Sequence, residues 1–208
     1  CALPIFKYVS GNKTTIENIY ELEPGHAAEF NVTSGELKIW RWYDFAKERT
    51  EKDIDYEKLE TIVFDSINRH LISDAPVGIQ LSGGVDSSIL AWYVNKIKGE
   101  GIKSFSINFL ESEFDESIEA AKTAKKFNFD HHSIPFSVDD FVEIWPKAIE
   151  FFDEPINHPH TIPLFKLYQV AKDHVKVLLS GEGADEVFLG YEHHKNILNI
   201  TNFDDLRN

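Results

Sequence analysis

Two stretches of this sequence combine residue types that suit phosphate and metal chemistry. The first is Leu81-Ser82-Gly83-Gly84-Val85-Asp86-Ser87-Ser88. Gly83 and Gly84 can take positive φ and leave no side chain between backbone N–H groups and a ligand, while Ser82, Ser87 and Ser88 add hydroxyl donors. Phosphate oxygens fit such a loop, above all where it opens a helix whose positive end faces the ligand. An aspartate among phosphate-binding groups is repulsive unless it holds a cation, so Asp86 reads as a magnesium ligand facing pyrophosphate. The loop lacks the lysine of G-x-x-x-x-G-K-S/T and the spacing of G-x-G-x-x-G, which disfavours both of those nucleotide folds.

The second stretch is Ser180-Gly181-Glu182-Gly183-Ala184-Asp185-Glu186-Val187-Phe188-Leu189-Gly190-Tyr191. Its glycines permit close backbone approach, and the clustered carboxylates of Glu182, Asp185 and Glu186 are suited to binding magnesium or orienting an amine. Each stretch follows a short apolar run, Pro76 to Leu81 in one case and Val175 to Leu179 in the other, so each reads as a loop leaving a buried strand.

The elements that must position these loops alternate. A helix is expected over 54–72, where Leu59, Ile62, Val63, Ile67 and Leu71 recur at helical spacing and Asp53 or Asp55 offers an N-cap. After the strand over 76–81 come a helix over 87–98, ended by Gly99 and Gly101, a strand over 103–108, and a helix over 115–127. A strand over 130–134, helices over 137–152 and 161–173, and a strand over 175–179 complete the series. Strands separated by helical stretches give an α/β fold, a parallel sheet flanked by helices on both faces. The first 45 or so residues read differently, as a β-rich remnant of short strands broken at Ser10-Gly11-Asn12, Pro24-Gly25 and Ser34-Gly35. A charged linker follows. The expected division is therefore 1–45 and 46–208, with a further helix and loop over 191–208.

The composition is that of a globular protein, 42% hydrophobic and 27% charged over 208 residues. A formal charge of -14 argues against nucleic acid or an anionic membrane as partner. The single cysteine excludes an internal disulfide. With neither a signal peptide nor an apolar run of about 18 residues, the cytoplasm is the expected location.

The residues now carry a resemblance. Ser82 to Ser88 is similar to the S-G-G-x-D-S signature of the PP-loop ATP pyrophosphatases, and Ser180 to Tyr191 resembles the S-G-E-G-x-D-E-x-F-x-G-Y segment of the glutamine-hydrolysing asparagine synthetases. Phe105-Ser106-Ile107-Asn108-Phe109, Asp115-Glu116, His131-His132 and Asp153-Glu154-Pro155 resemble further family segments. Thr15 to His26 is similar to the segment that closes the family's glutaminase domain. Two positions depart from the pattern: Asn108 stands where glycine is usual, and Leu189 where a small residue is usual.

The resemblance implies an adenine nucleotide alpha hydrolase-like fold and ATP-dependent amidation of aspartate, through a β-aspartyl-AMP intermediate, with ammonia supplied by glutamine hydrolysis. By the same resemblance Leu81 and Ile107 border the adenosine, and Ser180 and Gly181 meet the nucleotide through their backbones. Ser82, Gly83, Gly84, Asp86, Ser87 and Ser88 surround the pyrophosphate, Asp86 and Asp185 hold magnesium, and Glu182 either accepts a proton from the attacking nitrogen or stabilises the adenylate. Cys1 is followed by Ala2-Leu3-Pro4-Ile5, unlike an amidotransferase nucleophile. The glutaminase, about two hundred residues on the scale of one domain, is accordingly expected upstream. The family reading leaves open a homodimer for the full-length protein, another acceptor carboxylate (a sugar acid or a β-lactam precursor), and a degenerate nucleotide-binding remnant.

Overall fold

A computed structural model describes residues 9, 11–14, 16–44, 47, 53–111, 115–152, 156 and 158–191. Cys1, most of the charged linker, Asp153-Glu154-Pro155 and the helix expected beyond Tyr191 lie outside those residues. The chain divides into two units, Cys1–Asp55 and Tyr56–Asn208.

In the first unit, β1 (His26–Phe30) pairs antiparallel with β2 (Leu37–Arg41), in a register that sets His26 opposite Arg41 and Phe30 opposite Leu37. The hairpin turns because Asn31 Oδ1 accepts from the backbone N–H groups of Thr33 (3.0 Å) and Ser34 (3.1 Å), an Asx turn.

The second unit contains α1 (Tyr56–His70), β3 (Val77–Gln80), α2 (Val85–Lys98), β4 (Lys103–Phe109), α3 (Ser117–Lys126), β5 (Asp130–Phe136), α4 (Val138–Phe152), α5 (Thr161–Ala171), β6 (Val177–Leu179) and α6 (Ala184–Phe188). Its strands form one parallel sheet in the order β5-β4-β3-β6. Burial on both faces explains the apolar run of β3, whereas β4 buries Ser104 and Ser106 as well as Phe105. Ile79 and Leu81 pack with Leu90, Ala91 and Val94 of α2 and Ala120 and Ala124 of α3. On the other face Phe105, wholly buried, meets Leu167 and Ala171 of α5. Phe136 packs with Ile144 and Ala148 of α4 and Ile162 of α5.

The α/β fold expected from the sequence is the one formed, with differences at element ends and at α6. No residue of α1 itself is buried, and Leu71, just beyond its end, is the buried member of the cluster there. The helix expected from Asp115 starts at Ser117, with Asp115 in an Asx turn before it: its carboxylate accepts from Ser117 N (3.1 Å) and Ser117 Oγ (2.6 Å). The stretch after β6, read as loop, forms the short α6.

Acid titration separates two supports of this unit. His131 lies in β5, its Nδ1 2.9 Å from Ser104 Oγ and its Nε2 3.2 Å from Ser106 Oγ. Burial, then the neighbouring His132, pushes its pKa below the ordinary 6.5. The folded state therefore favours neutral His131, and its contribution to stability is present above about pH 6.5 and shrinks as pH falls below that value. Asp140 is held lower still, at about 2, by Lys166 (2.7 Å) and by the capping box it forms with Ser137. Its contribution survives until the pH drops through the ordinary carboxylate value of 3.8. The unfolding midpoint is expected to fall between pH 7 and pH 5, and His131→Asn to flatten that segment only; an unchanged slope in the variant would remove His131 as the cause.

Candidate functional site

The order β5-β4-β3-β6 means that the chain winds outward from β3 to β5 and then returns to the other side of β3. Connections diverge between β3 and β6, and such a switch point leaves a crevice beyond the carboxyl ends of the two strands. Both loops singled out in the sequence leave those strands.

The loop after β3 turns at Gly83, whose φ of +81° and closeness to α3 exclude a side chain: a Cβ there would lie 2.7 Å from Glu116 O. Gly84, by contrast, has φ -72°, so the positive φ expected there is absent; it occupies the N-cap position of α2 with no side-chain cap bond. Ser82 Oγ lies 3.1 Å from Ser87 Oγ and accepts from Gly84 N at 3.3 Å. The hydroxyls of Ser87 and Ser88 donate to Gly84 O at 3.1 and 2.8 Å.

The loop after β6 comes against this helix start. A Cβ on Gly181 would stand 3.1 Å from both Asp86 Cβ and Ser87 N, so a side chain there would press the two loops apart by a few tenths of an ångström. Ser180 Oγ accepts from Glu182 N at 3.3 Å. After α6 the chain reverses at Leu189, with φ 59° and ψ 42°. The departure noted in the sequence thus falls on a left-handed position, where a leucine costs about 1–2 kcal/mol against glycine.

Between the loops lies a hollow of about 160 Å³, lined by Ser82, Asp86 and Ser87 from one side and Ser180, Gly181, Glu182, Gly183, Asp185 and Tyr191 from the other, with Gln80 at the end of β3. A second hollow, about 210 Å³, opens beside it. Gln80, Leu81 and Ser82 line it together with Ile107 and Phe109 of β4, Glu116 and Ser117 at the start of α3, and His160, Pro163, Leu164 and Leu167. Gln80 and Ser82 belong to both. Of the expected site residues, Ser82, Asp86, Ser87, Ser180, Gly181, Glu182 and Asp185 meet in the first hollow, and Leu81 and Ile107 meet in the second. Gly83, Gly84 and Ser88 shape the loop and line neither. Gln80, Tyr191 and the second hollow's walls other than Leu81, Ser82 and Ile107 were not foreseen; a glutamine interrupting the apolar run at the end of β3 was the available signal.

The first hollow is electrostatically one-sided. Its charged lining consists of Asp86, Glu182 and Asp185, with no basic side chain among the described residues. Tyr191 reflects the same field: its hydroxyl donates to Glu186 Oε1 at 2.7 Å. That bond, with burial and the charges of Glu186, Asp185 and Glu182, pushes its pKa up to about 12. Burial, then Glu182, also raises Tyr168. An anion brought within about 4 Å of each carboxylate meets roughly 4 kcal/mol of repulsion per pair at an effective dielectric near 20. The helix start returns only about 0.3–1 kcal/mol. A polyphosphate therefore needs a cation here. Among the described residues no group of three His, Cys, Asp or Glu converges closely enough to hold a metal by itself. That donor set fits magnesium, which takes one or two carboxylates and completes its shell with phosphate oxygens and water.

Comparison with known proteins finds relatives of this chain. The family model described as asparagine synthase matches residues 58–207. The glutamine-hydrolyzing asparagine synthetase 1 of Bacillus subtilis (strain 168) is 34% identical over 202 residues, which cover 96% of this chain and 32% of that protein. The putative glutamine-hydrolyzing asparagine synthetase 2 of Methanocaldococcus jannaschii is 31% identical over 184 residues, covering 86% of this chain and 35% of that protein. The chain thus spans about a third of the length of the curated relatives it matches. Among solved structures, the glutamine-dependent NAD+ synthetase of Acinetobacter baumannii, in complex with ADP, superposes with a TM-score of 0.50 over 79% of this chain and 31% of its own, at 16% identity. At that identity the likeness is one of fold. With the family model spanning nearly all of the second unit, from within α1 through both loops, the chain belongs to the asparagine synthase family.

Proposed function

We propose that the two hollows bind ATP with magnesium and serve the adenylation of a carboxylate, that of the aspartate side chain, followed by displacement of AMP by ammonia to give asparagine. The observation that carries this reading is the convergence of both glycine loops on one acidic hollow at the switch point, directly beside a less polar hollow of a size to take a nucleoside.

In this reading Leu81 and Ile107 flank the adenosine, and the helix start after Gly83 and Gly84 turns its N–H groups to the pyrophosphate, helped by Ser82 and Ser87. Ser88 holds the loop through Gly84 O. Ser180 and Gly181 meet the nucleotide with backbone groups. Asp86 and Asp185 hold the magnesium, which when bound neutralises charge on the leaving pyrophosphate. A carboxylate oxygen of the acceptor bonds to the α phosphorus as the bond to pyrophosphate breaks. The need is chemical: carboxylate oxygen is a poor leaving group at neutral pH, and adenylation makes a mixed anhydride from which it departs within AMP, a phosphate monoester. Glu182, at the edge of the same hollow, takes the proton that the attacking nitrogen sheds. We further read residues 1–45 as the end of a glutaminase domain that supplies the ammonia.

The deciding experiment supplies the intact protein with ATP, magnesium, aspartate and ammonia, and measures AMP, pyrophosphate and asparagine. All three in equal amounts are expected. Absence of AMP and pyrophosphate would sink the reading, whereas AMP formed only with a different carboxylate would move the acceptor.

A further inference from the structure

Gln80 is the last residue of β3 and lies on the boundary of both hollows. Its side chain has a tertiary partner: Tyr168 of α5, distant by 88 residues in sequence, donates its hydroxyl to Gln80 Oε1 at 3.4 Å. An amide whose oxygen is so engaged presents both N–H donors on its other branch. The other residue common to both hollows, Ser82, has its hydroxyl within hydrogen-bonding distance of Ser87 Oγ and Gly84 N. The charged side chains of the first hollow are all acidic. Gln80 is therefore the side-chain donor that stands where the hollows meet and is not consumed in the loop's own bonds among those described.

A nucleotide with its base end in the second hollow and its pyrophosphate in the first must carry its α-phosphate across this boundary. We infer that Gln80, held by Tyr168, donates to a non-bridging oxygen of the α-phosphate and stabilises it during adenylyl transfer. The inference rests on the function proposed above and assigns to it a residue that the two loops do not supply. The step balances without further reactants. The acceptor carboxylate oxygen forms a bond to the α phosphorus, and the bond to the bridging oxygen breaks with its electron pair leaving on pyrophosphate. Negative charge on the α-phosphate oxygens is crowded as the fifth bond forms, where a neutral donor in place beforehand acts without needing a proton transfer. The pKa of Tyr168, raised by burial and by Glu182, keeps its hydroxyl protonated and so able to hold the amide.

The test is ATP–pyrophosphate exchange by the intact protein with aspartate and magnesium, comparing wild type with Gln80→Leu, Gln80→Glu, Tyr168→Phe and the double variant Gln80→Leu/Tyr168→Phe. Gln80→Leu is expected to lower kcat by about 100-fold, with KM for ATP changed by less than about threefold. Gln80→Glu, nearly the same shape, is expected to be worse than leucine, because it places a fourth carboxylate against the phosphate. Tyr168→Phe is expected to lose roughly tenfold, and the double variant to be no slower than Gln80→Leu alone. Gln80→Leu within about twofold of wild type, a glutamate variant milder than leucine, or multiplicative effects of the two sites would each overturn the inference while leaving the exchange activity, and with it the function, standing. A wild type without exchange would overturn both.

Discussion

Asp86→Asn is expected to abolish magnesium-dependent ATP–pyrophosphate exchange, lowering it by about 10³-fold, while leaving the fold in place. The two halves of that expectation have separate causes. Asp86 is half-buried in the first turn of α2, and its carboxylate is one of three that make the hollow repel phosphate. Such a group is useful to a polyphosphate site only through a cation, so removing its charge removes the metal's anchor and the charge compensation of the leaving group together. Its structural share is small: an acid at a helix start contributes about 0.3–1 kcal/mol, a minor part of a domain's stability. The same reasoning predicts an inversion in binding. Without magnesium, ATP is expected to bind the asparagine variant at least as tightly as wild type, because one repulsive charge is gone. Titration of ATP with and without magnesium, alongside exchange and thermal unfolding, distinguishes these effects. Exchange within about tenfold of wild type, still dependent on magnesium, would take Asp86 out of the metal's shell.

What the sequence disclosed about this site follows from how its chemistry is distributed along the chain. The loops at Ser82 to Ser88 and Ser180 to Tyr191 are contiguous, so residue type and spacing alone mark them, and each follows a short apolar run that reads as a strand. Parallel order could be inferred from the alternation of strands and helices, whereas the neighbour of β3 could not; the pairing of β3 with β6 is what converts two separate motifs into one hollow. Gln80 and Tyr168 are joined only by tertiary structure, as are Glu116 and His160 in the second hollow. Local hydrogen bonding misled in one smaller way. Asp115 looked like a helix residue but stands before the helix, its carboxylate accepting from Ser117. The two departures from the family pattern behave differently. Leu189 falls on a left-handed turn and so has a visible conformational cost, whereas Asn108 sits in regular β4 opposite Pro135, where any residue's backbone is at ease.

Glu182→Gln is expected to divide the proposed reaction in two. Glu182 lines the same hollow as Asp86, but it is exposed, and its backbone N–H donates to Ser180 Oγ. That bond holds the start of the loop while leaving the carboxylate available at the hollow's edge. Its charge reaches both Tyr168 and Tyr191, since it raises the pKa of each. A carboxylate so placed has no part in forming the adenylate, which releases pyrophosphate without a proton changing hands. Its work begins when a neutral nitrogen attacks the acyl carbon and becomes positive. The amide can neither take the proton nor stabilise that charge, so amide formation is expected to fall by about 10²–10⁴-fold. ATP–pyrophosphate exchange should remain within about tenfold of wild type, and adenylate should accumulate to be lost slowly to water. Raising the ammonia concentration should not restore the rate, because the missing function is removal of a proton rather than binding of the amine. Burst measurements of AMP, pyrophosphate and asparagine under single-turnover conditions read both halves at once. Equal loss of exchange and of amide formation would assign Glu182 to the adenylation step beside Asp86, and no loss in either would leave it a solvated acid on the rim of the loop.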